Sequence, residues 1–225
     1  MLQAPAVPSQ PGPGGEAVGV KDSTVEEFLA QVAAPTATPG GGSVAALAGA
    51  LSVALSRMVA SLARGKKGYE SVERELTEIE ARGKSIQARL ETLVEDDARA
   101  YEAVLVSMRM PRGSDQEKEA RVAAMQTAYR KATEIPLETM ERCVEALELA
   151  EAAVKKGNRS ATTDAAVAIL IAEAAIRGAS LNCAVNIASI QDESFRRPTE
   201  ARVEALLKRA DEIGHEAMAV VTERL

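Results

Sequence analysis

Thr38-Pro39-Gly40-Gly41-Gly42-Ser43 runs straight into Val44-Ala45-Ala46-Leu47-Ala48-Gly49-Ala50-Leu51-Ser52-Val53-Ala54-Leu55-Ser56, and the small and aliphatic residues continue to Ala63. This run predicts a helix from Ser43 to about Arg64 with no polar face. A helix apolar all round is buried in a larger assembly, often between subunits. Ala48, Gly49, Ala50, Ser52, Ala54 and Ser56 allow neighbouring helices to approach closely. The entry turn carries its own signal. Pro39 fixes its φ, and three glycines reach backbone conformations closed to other residues. Such a turn brings bare N–H groups close to a ligand or to a neighbouring backbone. Ser43 is the expected cap of the helix, whose N-terminus favours an anionic or carbonyl group. The plain alternative is a flexible helix-entry loop.

Moving outward, the rest of the chain is also helix-forming. Its 225 residues suit one large domain, and aromatics make up only 2%, with no Trp. Ser23 or Thr24 followed by Glu26 and Glu27 signals a short helix to about Ala34. Gly65-Lys66-Lys67-Gly68-Tyr69 breaks the pattern, and a long helix is predicted from about Ser71 to Met108. Two more are expected over Gln116–Thr133 and from Pro136 to Lys156, closed by a Gly157-Asn158 C-cap. A helix capped by Thr162 or Thr163 reaches Ser189, and Pro198 opens a last one. No strand is predicted. The expectation is an all-α protein, an antiparallel bundle of about six or seven helices at 21–225, oligomeric, after a disordered Pro/Gly/Ala-rich tail at 1–20.

Composition narrows the function. A net charge of −6 argues against a general nucleic-acid partner. Cys143, Cys183 and His215 are too few for a disulfide scaffold or a four-ligand zinc site, and are read as structural or incidental; no metal is expected. No signal peptide is predicted, and Arg57 and Arg64 interrupt the apolar run that could have spanned a membrane. The expected compartment is the cytoplasm, with no membrane partner.

The long helix contains a misplaced carboxylate. Ile86, Leu90, Leu93, Asp97, Tyr101 and Val104 recur at steps of three and four, so Asp97 stands in a buried seam where Leu or Ala belongs. Burial raises a carboxyl pKa toward the range useful for general acid/base work. A structural Asp paired with a base is the competing reading. Glu95 and Asp96 are expected to point into solvent. Asn182 and Asn186 are four apart on an apolar helix and share one face. They either clamp two helices together or recognise a planar, amide-bearing heterocycle. Asp164 lies on that face too, but about 27 Å away along an unbroken helix. It is a first-turn acid, does a separate job, or completes a site on another chain. Lys66 and Lys67 with Tyr69 form a basic loop, either solvated or suited to carboxylates or phosphates. It is not a Walker loop, because Ala60 stands where glycine is needed and no Ser or Thr follows Lys66.

Together these stretches resemble the cyclodeaminase/cyclohydrolase family of folate enzymes over about residues 23–224. The resemblance rests on Glu27-Phe28-Leu29, the Thr38–Ser43 loop, Arg57-Met58-Val59, Gly65-Lys66-Lys67-Gly68-Tyr69 and Asp97-Ala98-Arg99-Ala100-Tyr101. Glu134-Ile135-Pro136-Leu137, Gly157-Asn158 with Asp164, Leu181-Asn182 with Val185-Asn186, and Asp192–Phe195 extend it. The Pro35–Pro39 turn is longer than the family's usual Pro-Thr-Pro. What the resemblance implies is an all-helical, dimer-based enzyme with its folate site at a subunit interface and Asp97 as catalytic acid/base. Pro39, Gly40, Gly41, Gly42, Ser43, Lys66, Lys67, Tyr69, Asp164, Asn182 and Asn186 become candidate binding residues. Lys66-Lys67 would suit the glutamate tail and the Asn pair the pterin or bridging amide. No cofactor is implied beyond the folate substrate. Both methenyltetrahydrofolate cyclohydrolase and formiminotetrahydrofolate cyclodeaminase activities are open, with a slight lean to the first. A helical scaffold without catalysis is the distant rival; it would have Asp97 salt-bridged and the glycine loop lining no cavity.

Overall fold

A computed structural model describes residues 23–225; the tail expected at 1–20 lies outside the described residues. Six α-helices account for nearly all of it: α1 (Val25–Ala33), α2 (Gly41–Ser61), α3 (Glu73–Met108), α4 (Asp115–Lys156), α5 (Thr162–Ile187) and α6 (Glu193–Arg224). No strand occurs among the described residues.

α2 runs between α3, α4 and α5, and α6 packs on α4 and α5. Small side chains make this possible. A Cβ on Gly49 would stand 2.5 Å from Cys143 Sγ, so glycine lets α2 and α4 close on each other. Ser52 Oγ donates to the Ala168 carbonyl at 2.8 Å, satisfying a hydroxyl buried between α2 and α5. Contacts run in opposite directions along sequential neighbours. Ser43 meets Asp97 while Arg57 meets Glu80, which sets α2 against α3. Arg121 meets Met108 while Lys156 meets Glu75, which sets α3 against α4. α1 is tied down chiefly by Phe28, its single buried residue.

The helix starts follow local chemistry. Thr24 with Glu27, and Ser114 with Glu117, form reciprocal capping boxes on α1 and α4. Gly157 ends α4, but with φ −77° rather than in the left-handed conformation a glycine C-cap suggests. Glycine is required there by proximity, since a Cβ would meet Ala153 O at 2.6 Å and Val59 Cγ1 at 2.7 Å. Asn158 then donates from its backbone N–H to Val59 O and from its side chain to Leu62 O, joining the ends of α4 and α2.

Several sequence expectations are corrected. α2 begins at Gly41, with Gly40 as its N-cap, so Ser43 lies inside the first turn and does not cap the helix. Pro136 does not divide two helices but sits within α4. Its missing N–H would have bonded the Ala132 carbonyl, and Asn186 Nδ2 supplies that hydrogen bond instead at 2.6 Å. Pro198 likewise lies inside α6, which Asp192 opens by accepting from the Ser194 N–H. The carbonyl that Pro198 leaves free belongs to Ser194, an exposed residue. Asp96 is not solvated: half-buried, it is held by Arg89, which also grips Glu138, and by Arg99. Finally, Gly41–Ser61 and Arg159–Ile187 are long and apolar enough to cross a bilayer by length and composition, Arg57 notwithstanding, with 56% and 39% of their apolar windows buried in the bundle.

Candidate active site

The glycine-rich turn, α3 and α5 meet at one cavity of about 260 Å³, walled in part by Gly40, Gly41, Gly42, Asp97, Asn182 and Asn186. Each side chain arrives there for a local reason. Gly42 sits in the first turn of α2 directly beneath the Asp97 carboxylate. A Cβ at that position would lie 2.1 Å from Asp97 Oδ1 and 2.5 Å from Cγ, so only glycine admits the carboxylate there. The Thr38-Pro39 bond preceding the turn is cis. The first-turn N–H groups of α2 have no intrahelical partner, so the cavity has a donor-rich, electropositive wall.

Ser43 is fully buried and ties the two elements together. Its hydroxyl lies 2.9 Å from the Val94 carbonyl and 3.1 Å from Asp97 Oδ2. A hydroxyl has one proton, so it donates to one of these at a time. When it donates to Val94, its lone pairs face Asp97 and suit a protonated carboxyl; when it turns, it suits the carboxylate. Burial pushes the Asp97 pKa up, while hydrogen bonds from the Ser43 side chain and backbone N–H pull it partly back. No cation pairs with Asp97 among the described residues. A carboxyl that is desolvated, unpaired and open to a cavity can carry a proton both ways.

Of the two asparagines, Asn186 fits the clamp reading. Asn186 Nδ2 clamps α4 through Ala132 O, and Asn182 Nδ2 donates to Gly178 O at 2.9 Å within α5. Both residues still border the cavity, and among the described residues no donor reaches either Oδ1. Tyr101, 42% exposed, stands at the cavity wall. The free Cys143 and Cys183 are buried, with their thiols pushed up to about 12 by burial, so neither offers a thiolate. No group of three or more His, Cys, Asp or Glu placed to hold a metal occurs among the described residues.

Other candidate residues lie elsewhere. Pro39 adjoins the lining residues without being one of them. Lys66, Lys67 and Tyr69 follow the far end of α2, roughly 30 Å from Gly42 at 1.5 Å per residue, and Asp164 is at the opposite end of α5 from Asn182. Within one chain they do not join the Asp97 cavity. Sequence reasoning also missed a cationic cavity formed by Tyr69, Lys155, Lys156, Arg159 and Arg224. Lys155, Lys156 and Arg159 share one stretch, but Tyr69 and Arg224 join them from far along the chain, which no local spacing reveals.

The architecture and sequence have known counterparts. The family model described as Formiminotransferase-cyclodeaminase matches residues 24–205. A methenyltetrahydrofolate cyclohydrolase of Methylorubrum extorquens is 36% identical over 204 residues, covering 91% of this chain and 98% of that protein. A formimidoyltransferase-cyclodeaminase of Rattus norvegicus is 31% identical over 189 residues, which are 84% of this chain but 35% of that protein. The crystal structure of formiminotetrahydrofolate cyclodeaminase from Thermotoga maritima superposes with a TM-score of 0.83 at 26% identity, covering 91% of this chain and 98% of that one.

Proposed function

The chain belongs to the formiminotransferase-cyclodeaminase family, and from that premise we propose that it is a tetrahydrofolate one-carbon enzyme acting as a methenyltetrahydrofolate cyclohydrolase. The observation that carries a catalytic reading is Asp97: a half-buried, unpaired carboxyl on a cavity whose other wall is a helix N-terminus. The scaffold alternative required a salt-bridged Asp97 and a loop lining no cavity, and neither is found among the described residues. Hydrolysis is preferred because the Methylorubrum protein is 36% identical and the Thermotoga cyclodeaminase 26%, each matched over 98% of its length.

The chemistry follows from one movable proton. Asp97 accepts a proton from water as its oxygen bonds to the electron-poor methenyl carbon between N5 and N10. The proton then passes to N5 as the C–N5 bond breaks, the adduct's hydroxyl loses its own proton to solvent, and 10-formyltetrahydrofolate leaves. Positioning and proton transfer together carry such a step, the latter worth about 10²–10⁴-fold. The amide edges of Asn182 and Asn186 suit the pterin. The reaction as written uses no metal or nicotinamide. An acidic chain of this kind acts in the cytoplasm, without nucleic acid or a membrane. The second reading, formiminotetrahydrofolate cyclodeaminase, is favoured by the Thermotoga structure. Ultraviolet assays separate the two. Loss of methenyltetrahydrofolate absorbance with enzyme marks the hydrolase; its appearance from the formimino substrate with ammonia release overturns that assignment in favour of the deaminase.

The assembly belongs to the same proposal. Along α2, Val44, Leu51 and Leu62 are exposed, and on neighbouring α5 so are Val167, Leu170, Leu181 and Val185. On each helix these residues recur at helical spacing and form one apolar stripe, the kind of surface that another chain can cover. A homodimer pairing them antiparallel about a two-fold axis would set the Lys66–Tyr69 loop and Asp164 of one subunit beside the Asp97 cavity of the other. Subunits carrying Asp97→Asn, co-expressed with subunits carrying Lys66→Ala and Lys67→Ala, should then recover about a quarter of wild-type activity at low substrate. Half the dimers are mixed, and one of the two sites in each is intact. Activity no higher than the mean of the two parents, or a folded monomer in sedimentation at micromolar concentration, rejects the shared site.

A further inference from the structure

At the far end of the bundle, where α4 and α6 both finish, the chain gathers positive charge around a second cavity, of about 340 Å³. Lys155 and Lys156 come from the last turn of α4, Arg159 from the short turn that follows it, Arg224 from the end of α6 and Tyr69 from the loop after α2. Two of the four cations are already matched, Lys155 by Glu151 and Lys156 by Glu75. Arg159 and Arg224 are not: neither guanidinium pairs with a carboxylate among the described residues. The acids of the adjoining loop are engaged by its own backbone, Glu70 by the Gly68 N–H and Glu73 by the Gly65 N–H.

Arg224 is held through its guanidinium, and Arg159, whose side chain is exposed, through its backbone. Arg224 Nη2 donates to the Lys155 carbonyl at 2.6 Å, and the Arg159 backbone N–H donates to the Tyr69 hydroxyl at 3.2 Å. Burial and the positive charge of Arg159 both work against the charged form of Arg224. Arg224 and Arg159 repel each other across this cavity, and the Lys155 carbonyl and Tyr69 offset the cost to Arg224 only in part. An oxyanion offsets it, because guanidinium groups grip phosphate and carboxylate through paired N–H donors.

We propose that this cavity binds a small, multiply charged oxyanion, either a phosphate or a group of carboxylates. The inference uses no residue that lines the Asp97 cavity of the same chain.

Thermal unfolding of the full chain tests it. The probes are sodium phosphate and a γ-linked glutamate tripeptide, each against sodium chloride at matched ionic strength. A ligand at 100 times its Kd should raise Tm by about 5 °C in a chain of this size. The double variant Arg159→Gln, Arg224→Gln should abolish that rise while melting, without ligand, no lower than the wild type, because it removes a repulsion. Asp97→Asn should keep the rise, so failure here and failure of the catalytic assignment are distinguishable. Stabilisation by phosphate alone names a phosphate group as the ligand; stabilisation by the tripeptide, with or without phosphate, names carboxylates. No rise beyond chloride with either probe, or a rise that survives in the double variant, overturns the site.

Discussion

Replacing Asp97 with Asn lowers kcat by at least about 100-fold and leaves melting temperature at neutral pH unchanged or higher. Asparagine keeps the shape that fills the space above Gly42 and still hydrogen-bonds Ser43, but it cannot carry a proton. The stability half depends on sign. Burial raises the folded pKa of Asp97 above the unfolded value of about 3.9, so the folded state binds the proton more tightly than the unfolded chain. The cost of holding the carboxylate is absent below the unfolded value, grows through the window between the two, and is full above the folded value. The variant's advantage should therefore appear at neutral pH and fade as pH falls toward about 4. Wild-type turnover should fall on the acid side as Asp97 protonates and can no longer accept a proton from water. Melting temperature and kcat measured on one preparation across pH decide the matter. A clearly less stable protein with normal turnover would identify Asp97 as structural.

Gly42→Ala is the second large effect, through the same carboxylate. Alanine in a helix interior ordinarily gains up to about 1 kcal/mol over glycine. Here its Cβ would stand 2.1 Å from Asp97 Oδ1, and the carboxylate is short and anchored, so α2 and α3 must separate or Asp97 must swing away. Overpacking of this kind costs about 1–3 kcal/mol, which outweighs the gain. A misplaced proton carrier costs about as much activity as an absent one, so kcat should again fall about 100-fold. The decisive control is the Gly42→Ala, Asp97→Ala pair. Removing the carboxylate relieves the clash, so the two stability losses should fail to add by about 1 kcal/mol or more. Simple additivity would show that Gly42 is not there to admit Asp97.

The helices and the anomalous carboxylate were legible in the sequence because both express themselves at short range. The long apolar run of α2 and the three-and-four spacing around Asp97 need no knowledge of partners. The misreadings share the opposite cause. Proline reads as a helix boundary because it removes one backbone donor, and at Pro136 that donor is replaced from Asn186, which no local rule can see. Ser43 reads as a cap because it follows three glycines, yet its hydroxyl is engaged by Val94 and Asp97, more than fifty residues further on. Asp96 reads as solvated, yet Arg89 stretches from the preceding turns to hold it. The basic loop and Asp164 were identified as isolated pieces, and their distance from Asp97 follows from helix length alone.

The bond from Asn186 to Ala132 has a consequence for the order in which the molecule forms. α4, at 42 residues, is long enough to be thought autonomous, but its middle turn lacks a donor of its own. Each half of α4 can coil early from local contacts, while the junction at Pro136 must wait for a segment that emerges 54 residues after Ala132. Until α5 docks, the Ala132 carbonyl has no donor from Asn186, and the junction at Pro136 is one hydrogen bond short. The docking that supplies this bond also brings Asn182 and Asn186 to the glycine turn, so the mid-helix junction of α4 and the cavity wall are completed by one event.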